Sequence, residues 1–410
     1  MKKKLLVIGF VWPEPKSSAA GGRMLQLIEQ FHKQDYAITF VSAAKTSQNT
    51  FDLARIGVDT REILLNDTSF DAFISKLNPN AVLFDRFMTE EQYGWRAVEQ
   101  CPDALRILDT EDFHGLRKAR ELALKHNTAV TLELLHNEIT KREIASMYRC
   151  DLSLIISEAE IEILTNQFKI DRNLLYYLPF LLEPISETEI KRLPTFEARQ
   201  NFIIIGNFLH SPNYDTALYL KQIIWPLIRE QLPKAQLHIY GAYESQKVSQ
   251  LHNEKEGFYI KGFAEDVNEV MKNARLCLAP IRFGAGLKGK LIDAMQNGTP
   301  SAMSGIAAEG MFGGLQASGI IEDNPDSFVA KTIALYTNAE FWQKSQLNGF
   351  NVLNQRFNKT NFKENFSSKI TDLSTNLKTH RQNNFIGQLL MHQTLQSTKY
   401  MSKWIEEKNR

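Results

Sequence analysis

The sequence predicts an α/β protein built as two doubly wound parallel-sheet units. Three observations carry this. Apolar strand-like runs recur, with longer helical stretches between them, the pattern of a parallel sheet covered on both faces. A polar segment, "EPISETEIKRLPTFEARQ" at 183–200, interrupts the pattern with Pro184 and Pro194 and reads as an interdomain linker. The same alternation then restarts at similar length. Two such Rossmann-like units face each other across a cleft, and open α/β sheets bind ligands at the carboxyl ends of their strands.

In the first unit, strands are expected at "LLVIGF" (5–10), "AITFVSAA" (37–44), "AVLFD" (81–85), "LRILDT" (105–110) and "LSLIIS" (152–157). A helical stretch rich in Leu, Glu, Lys and Arg fills 115–149. In the second unit they are expected at "FIIIGNF" (202–208), "AQLHIYGA" (235–242), "FYIKGF" (258–263), "ARLCLAPI" (274–281) and "TPSAMS" (299–304). From about 325 onward the chain reads as helices. The polar tail 375–410 is expected to be a surface helix or partly disordered. The domains read as 1–182, 183–360 and a helical tail 361–410.

Composition bounds the function. Hydrophobic residues make up 43% and charged residues 23%, ordinary globular usage, so a packed core is expected. With 48 Lys+Arg against 47 Asp+Glu, nothing in the global charge argues for nucleic acid or an anionic membrane. Cys101, Cys150 and Cys277 are scattered and form no CxxC pair, which favours a reducing compartment. The start "MKKKLLVIGFVW" is followed by Pro13, Glu14 and Pro15 without a small-residue cleavage site, so it reads as a buried first strand. No run reaches the ~20 apolar residues of a membrane span. A cytoplasmic protein is expected, with room for peripheral contact with a membrane.

The richest chemistry lies in "PIRFGAGLKGKLIDAMQNGTP", 280–300. Gly284, Gly286 and Gly289 allow close approach of backbone to a ligand. A helix is expected to start near Lys290, where free N–H groups and the helix dipole attract an anion. Arg282, Lys288 and Lys290 add charged donors. Asp293 follows Lys290 by three residues on the same helical face. A single anion does not explain a carboxylate there. A ribose diphosphate does: cations hold the phosphates and the carboxylate accepts from ribose hydroxyls. The plainer reading is a flexible turn with a Lys290–Asp293 surface pair.

Two other loops follow strands. "WPEPKSSAAGGRMLQLI" opens a helix at Gly21 and Gly22. It lacks the GK[ST] ending of a P-loop, and no G-x-G-x-x-G follows the first strand, which argues against a nicotinamide dehydrogenase. "LDTEDFHGLR" crowds Asp109, Glu111, Asp112, His114 and Arg117 at a strand end. No compact metal-ligand spacing supports a metal, and none is expected.

"GAGLKGKLIDAMQNGTPSAMSGIAAEGM" resembles the donor-binding segment of family 4 GT-B glycosyltransferases, in the branch that reads Gly-Ala-Gly, a Lys-containing turn and Glu-Gly-Met/Leu. "IIIGNFLHSPNYDTALYLKQIIWPLI", "LDTEDFHGLRKAR" and "REIASMYRCDLSLIISEAE" are similar to other parts of that branch, so the resemblance spans roughly 1–360. It implies a GT-B fold and transfer of a sugar from a nucleotide-sugar donor to a glycan, lipid-linked or small-molecule acceptor. It further implies retention of anomeric configuration, no bound metal and no cofactor beyond the donor.

Residue by residue, it implies that Arg282 and Lys290 stabilise the leaving diphosphate and that His114 and Asp112 lie near the donor sugar. Gly21, Gly22, Asn207, Gly286, Leu287, Lys288, Asp293 and Glu309 would bind the donor. The double glycine would reach across the cleft, so that a side chain at Gly22 obstructs closure. The family commonly carries two glutamates separated by seven residues. Here the second is Asp293 and the first is Ala285. The common Arg and Lys after the first C-terminal strand are replaced by Asn207, His210 and Asn213. These departures keep a non-catalytic sugar-nucleotide-binding or assembly subunit as the alternative; a hexose epimerase would need a richer set of acids and histidines. The family's base-reading turn falls at "KGF", 261–263, where Phe263 on its own reads as core packing.

Overall fold

The computed structural model describes residues 2–392 and 395–408; Met1 and part of the 375–410 tail lie outside them. The first sheet has seven strands, β1 (Lys3–Gly9), β2 (Tyr36–Ser42), β3 (Asp59–Glu62), β4 (Ala81–Asp85), β5 (Leu105–Asp109), β6 (Leu152–Ile155) and β7 (Leu175–Tyr177), in the order β3-β2-β1-β4-β5-β6-β7. The second has six, β8 (Gln200–Ile205), β9 (Leu237–Tyr240), β10 (Phe258–Gly262), β11 (Ala274–Ala279), β12 (Ser301–Met303) and β13 (Gly319–Ile321), in the order β10-β9-β8-β11-β12-β13. Every named pairing is parallel. In each sheet the order reverses at the first strand of the unit, opening a crevice between β1 and β4 and another between β8 and β11.

The central strands are continuous apolar runs because helices cover both faces. Leu5, Leu6, Val7 and Ile8 are all fully buried, and they alternate between two separate cores. Three strands had no legible signal. β3 is exposed at every residue, and β7 and β13 are three residues long at the edges. The expected 115–149 helix is three helices, His114–His126, Leu132–Leu135 and Glu138–Arg149, because Asn127 turns left-handed (φ 52°) and ends the first.

The chain crosses between units twice, side by side. Leu182 bridges Asn358, with Leu182 N–H donating to the Phe357 carbonyl (2.8 Å) and Lys359 N–H to the Leu182 carbonyl (2.8 Å). After this return the helix Thr360–Thr375 lays Phe366, Ile370 and Leu373 into the first unit's core, where Phe366 meets Phe31 edge-on at 5.6 Å. The following helix docks through Arg381, which donates to both oxygens of Asp151 (2.8 Å each). The three cysteines are buried and unpaired. Among the described residues no helix is long and apolar enough to cross a membrane.

Candidate active site

The helix Gly289–Gln296 starts where β11 hands the chain to the 280–288 loop. Its N-cap position is Lys288, which makes no side-chain cap, so the N-terminal amides keep their partial positive charge for a ligand. Lys288 and Lys290 are each only 9% exposed. Lys288 Nζ donates back to the carbonyls of Ala285 (2.9 Å) and Gly286 (2.6 Å), and Lys290 Nζ donates to Asn213 Oδ1 (2.7 Å). Among the described residues no carboxylate forms an ion pair with either. Burial pushes both ammonium groups down to about 8, with Arg120 adding to the effect at Lys288.

The Lys290–Asp293 surface pair is absent because Lys290 reaches Asn213 instead. The Asp293 carboxylate has no hydrogen-bond partner among the described residues. Burial raises it to about 7 despite Lys290. Arg282 is placed differently: it donates to both oxygens of Asp215 (3.0 and 2.5 Å) and lies over the Tyr219 ring at 4.7 Å. Its charge is thereby neutralised by Asp215, and it lines a cavity of about 220 Å³ with Ser304 and Asp323. Asn207 shapes its own loop, accepting from Leu209 N–H (2.8 Å) and, at its carbonyl, from Asn213 Nδ2 (2.8 Å). Leu287 packs in a core with Ile156, Phe180 and Met311, which anchors the turn. Phe263 is half-buried and lies outside the hydrophobic clusters, because Gly262 (φ 68°) turns the chain away from the core.

Across the cleft, the helix Ala19–His32 points its N-terminus at the same place. Its double glycine is not a pair of free donors. Gly21 N–H donates to Ser18 Oγ (3.1 Å) and Gly22 N–H to the Ser18 carbonyl (3.3 Å). The Ala19 and Ala20 amides have no acceptor among the described residues. A Cβ on Gly21 would lie 2.5 Å from the Glu14 backbone, so glycine is required there, whereas one on Gly22 would meet nothing within 4 Å. The tight crossing expected at Gly22 falls instead at Gly289, whose Cβ would lie 2.5 Å from Ala19 Cβ. Two helix N-termini thus meet head to head.

The 109–117 loop supplies the remaining groups. Asp109 is buried against Arg23 in a two-pronged pair (Nε 3.0 Å, Nη2 2.8 Å to Oδ1) and is structural. Asp112 pairs with Arg117 and touches the second unit, its Cβ lying 2.7 Å from where a Gly286 Cβ would sit. Burial opposes its charge, but Arg117, His114 and His210 hold the carboxylate well below its usual range. His114 Nδ1 lies 3.1 Å from Asp112 Oδ1 and 3.5 Å from Glu143. Burial disfavours the imidazolium, yet these carboxylates outweigh it and raise His114. Its Nε2 has no partner among the described residues. Glu111 holds left-handed backbone (φ 62°), and its carboxyl makes no hydrogen bond among the described residues. Burial and the nearby Asp109 and Asp85 raise it to about 8.

Several contacts across the cleft were missed from sequence. Arg120 of the first unit donates to both oxygens of Glu309 (2.9 and 2.6 Å) and to the Gly284 carbonyl (2.8 Å). The expected donor contact Glu309 is therefore occupied by an interdomain ion pair. Buried Glu160 accepts from Phe113 N–H (2.8 Å) and, across the cleft, from Gly286 N–H (2.7 Å). Burial and Asp112 push it up to about 7. Tyr243 donates to Glu14 (2.7 Å) at the other end of the cleft. An acid in a first helical turn, as at Glu160, is ordinarily a helix-dipole partner, so no sequence signal separated it from that role. Among the described residues no group of three or more His, Cys, Asp or Glu is placed to hold a metal ion.

Residues 199–338, within the second unit, match the family described as Glycosyl transferases group 1. No curated protein matches the chain in sequence. Among solved structures, it is similar to a TarM mutant of S. aureus in complex with fondaparinux, alpha-GlcNAc-glycerol and UDP (TM-score 0.68, 10% identity, 91% of this chain and 100% of that one). It is similar to sucrose-phosphate synthase of Thermosynechococcus elongatus (0.65, 14%, 92% and 100%) and to HepE of Anabaena with UDP and glucose (0.64, 13%, 90% and 100%). At such identities these likenesses establish the fold. The protein has the GT-B architecture, and residues 199–338 of its second unit are similar to the group 1 glycosyl transferases.

Proposed function

We propose that the protein transfers a sugar from a nucleotide-sugar donor to a hydroxylated acceptor. The observation that carries this is the helix start at 288–293. Two buried ammonium groups without carboxylate partners, open helix amides and the unpartnered Asp293 carboxylate match a ribose diphosphate, opposite the N-terminus of a second helix. Lys290, the Gly289 helix end and the Ala19–Ala20 amides would stabilise the charge growing on the departing β-phosphate. Lys288 would join them by leaving its loop carbonyls, and Arg282 only by leaving Asp215. His114 and Asp112 would stand beside the sugar, Gly286 and Leu287 would shape its turn, and Gly21 and Asn207 would hold their loops in place. Retention and independence of metal follow from the family resemblance. The UDP complexes of TarM and HepE make UDP-sugars the first donors to try.

Thermal shift and hydrolysis with UDP-, GDP- and ADP-sugars test the reading. Wild type should bind one of these, hydrolyse it slowly, and stay active in EDTA. It should also bind the 2′,3′-dideoxy nucleoside diphosphate at least about tenfold more weakly, because Asp293 would lose its donors. Equal affinity for both would remove Asp293 from the ribose. One observation favours a non-catalytic nucleotide-binding subunit: Glu309 is already held by Arg120. Binding without any hydrolysis or transfer would select that alternative.

A further inference from the structure

The helix His114–His126 begins with amides that face the protein interior and need buried acceptors. Glu143 of the same unit takes the His114 and Gly115 amides (3.2 and 3.0 Å). Glu160 takes the Phe113 amide on Oε1 (2.8 Å). The same oxygen accepts from the Gly286 amide of the second unit (2.7 Å). One atom therefore joins the residue before His114 to the turn that carries Lys288.

The surroundings are built for this contact. Glu160 is fully buried. Ala285, which precedes Gly286, belongs to the hydrophobic core of the first unit, in the cluster that holds Phe113 and Leu116. Gly286 has left-handed backbone (φ 64°), and a Cβ there would lie 2.7 Å from Asp112 Cβ, so glycine alone lets its amide come this close. The Gly286 carbonyl in turn accepts from Lys288 Nζ (2.6 Å). Hydrogen bonds thus run from the Phe113 amide through Glu160 and Gly286 to the Lys288 ammonium. Arg120, further along the His114 helix, fastens the same turn at the Gly284 carbonyl (2.8 Å), but through a long side chain shared with Glu309.

The Glu160 Oε2 atom has no hydrogen-bond partner among the described residues. Burial and Asp112 push the carboxyl up to about 7, which favours its neutral form. What Glu160 supplies is therefore an acceptor at a fixed place more than a charge.

We propose that Glu160 is a positioning residue for sugar transfer: its one oxygen fixes the spacing between the His114 helix start and the Lys288 turn when the units close. This role rests on the glycosyltransferase reading above and deepens it, because it names the atom that registers one face of the cleft on the other. Without that oxygen the second unit still holds nucleotide, but the two halves of the site meet out of register. Misplacement of about 1 Å is enough to cost about 10²-fold in rate.

The test compares full-length Glu160→Gln and Glu160→Ala with wild type. Gln still presents an oxygen to both amides; Ala presents none. Hydrolysis of the nucleotide-sugar that wild type uses fastest gives kcat and KM, and amide hydrogen exchange is followed in peptides covering 110–116 and 284–288. Glu160→Ala should lose about 10²-fold in kcat with KM nearly unchanged, and exchange should accelerate at Phe113 and Gly286 together. Glu160→Gln should stay close to wild type in both readouts. A merely structural role would lower the melting temperature without splitting kcat from KM. If Glu160→Ala does not fold, Glu160→Asp, one methylene shorter, cannot span both amides and should show the same loss of kcat. Unchanged kcat in the Ala or Asp variant, a Gln variant as slow as Ala, or faster exchange at Phe113 but not at Gly286 overturns the proposal, while hydrolysis by wild type leaves the glycosyltransferase reading standing. Wild type that hydrolyses none of the UDP-, GDP- or ADP-sugars overturns that reading and this role with it.

Discussion

The helices Ala19–His32 and Gly289–Gln296 begin face to face and treat the same physical problem in opposite ways. Each exposes the positive end of a helix to the cleft. The first satisfies much of its own need: Ser18 takes the Gly21 amide on its side chain and the Gly22 amide on its carbonyl. The second is left open at Lys288, with two buried ammonium groups at its first turn. A self-capped end can close over a ligand without holding it. An uncapped, cation-flanked end attracts an anion even when the cleft is open. Under the proposed function, this difference would give nucleotide affinity to the second unit and closure to the first.

The largest effect expected from breaking this arrangement is at the crossing point. Gly289→Val would push Ala19 away and hold the helix ends apart. Turnover should fall about 10²-fold or more, since misplacement of about 1 Å can cost that much. Nucleoside diphosphate affinity, measured by calorimetry, should change far less. A variant that turns over normally would mean the two ends do not share one donor.

Next is Lys290→Ala. Loss of a buried charged donor should weaken nucleoside diphosphate binding about 10- to 100-fold. The melting temperature should hardly fall, because a desolvated ammonium goes with the donor. An unchanged dissociation constant would take Lys290 out of the phosphate site.

The two glycines sharpen the same contrast through stability. Gly21→Ala forces a Cβ into the Glu14 backbone and should cost roughly 1–3 kcal/mol. Gly22→Ala enters open space within a helix and should stabilise by up to about 1 kcal/mol. Denaturant melts of the pair check this, and equal losses would contradict the geometry.

The smallest effect is a proton count. Lys288 and Lys290 sit at about 8, and a bound diphosphate favours their charged forms. Binding at pH 8 should therefore take up protons, seen as a dependence of the binding enthalpy on buffer ionisation enthalpy. At pH 6 both lysines already carry their protons and the uptake should vanish. Uptake that persists at pH 6 would point to another group, with His210, which burial and Arg117 lower to about 4, the first to examine.

Much of this was legible in the sequence, and for local reasons. Ten of the thirteen described strands fall in the runs expected from the sequence, and the helix expected near Lys290 begins at Gly289. The Gly-Ala-Gly turn, its lysines and Asp293 fall within ten residues, so their grouping needs no tertiary information. The roles of Arg282 and Glu309 were less accessible. Both carry the residue type a phosphate or ribose site wants, yet one is paired with Asp215 and the other with Arg120, 67 and 189 positions away. Phe263 was read as core and is half-buried, just after the left-handed Gly262 that ends its strand.

The sequence by itself determined the two parallel sheets and the helix start beside Lys290. Each follows from periodicity or from the backbone chemistry of a few adjacent residues. Only the tertiary structure decided which charges stay open to a ligand. Glu160 reaches Gly286, Arg120 reaches Glu309, and Ala19 meets Gly289 because the units close on one another. The physical reason is that a side chain's availability depends on what is packed against it, and residues distant along the chain supply that packing.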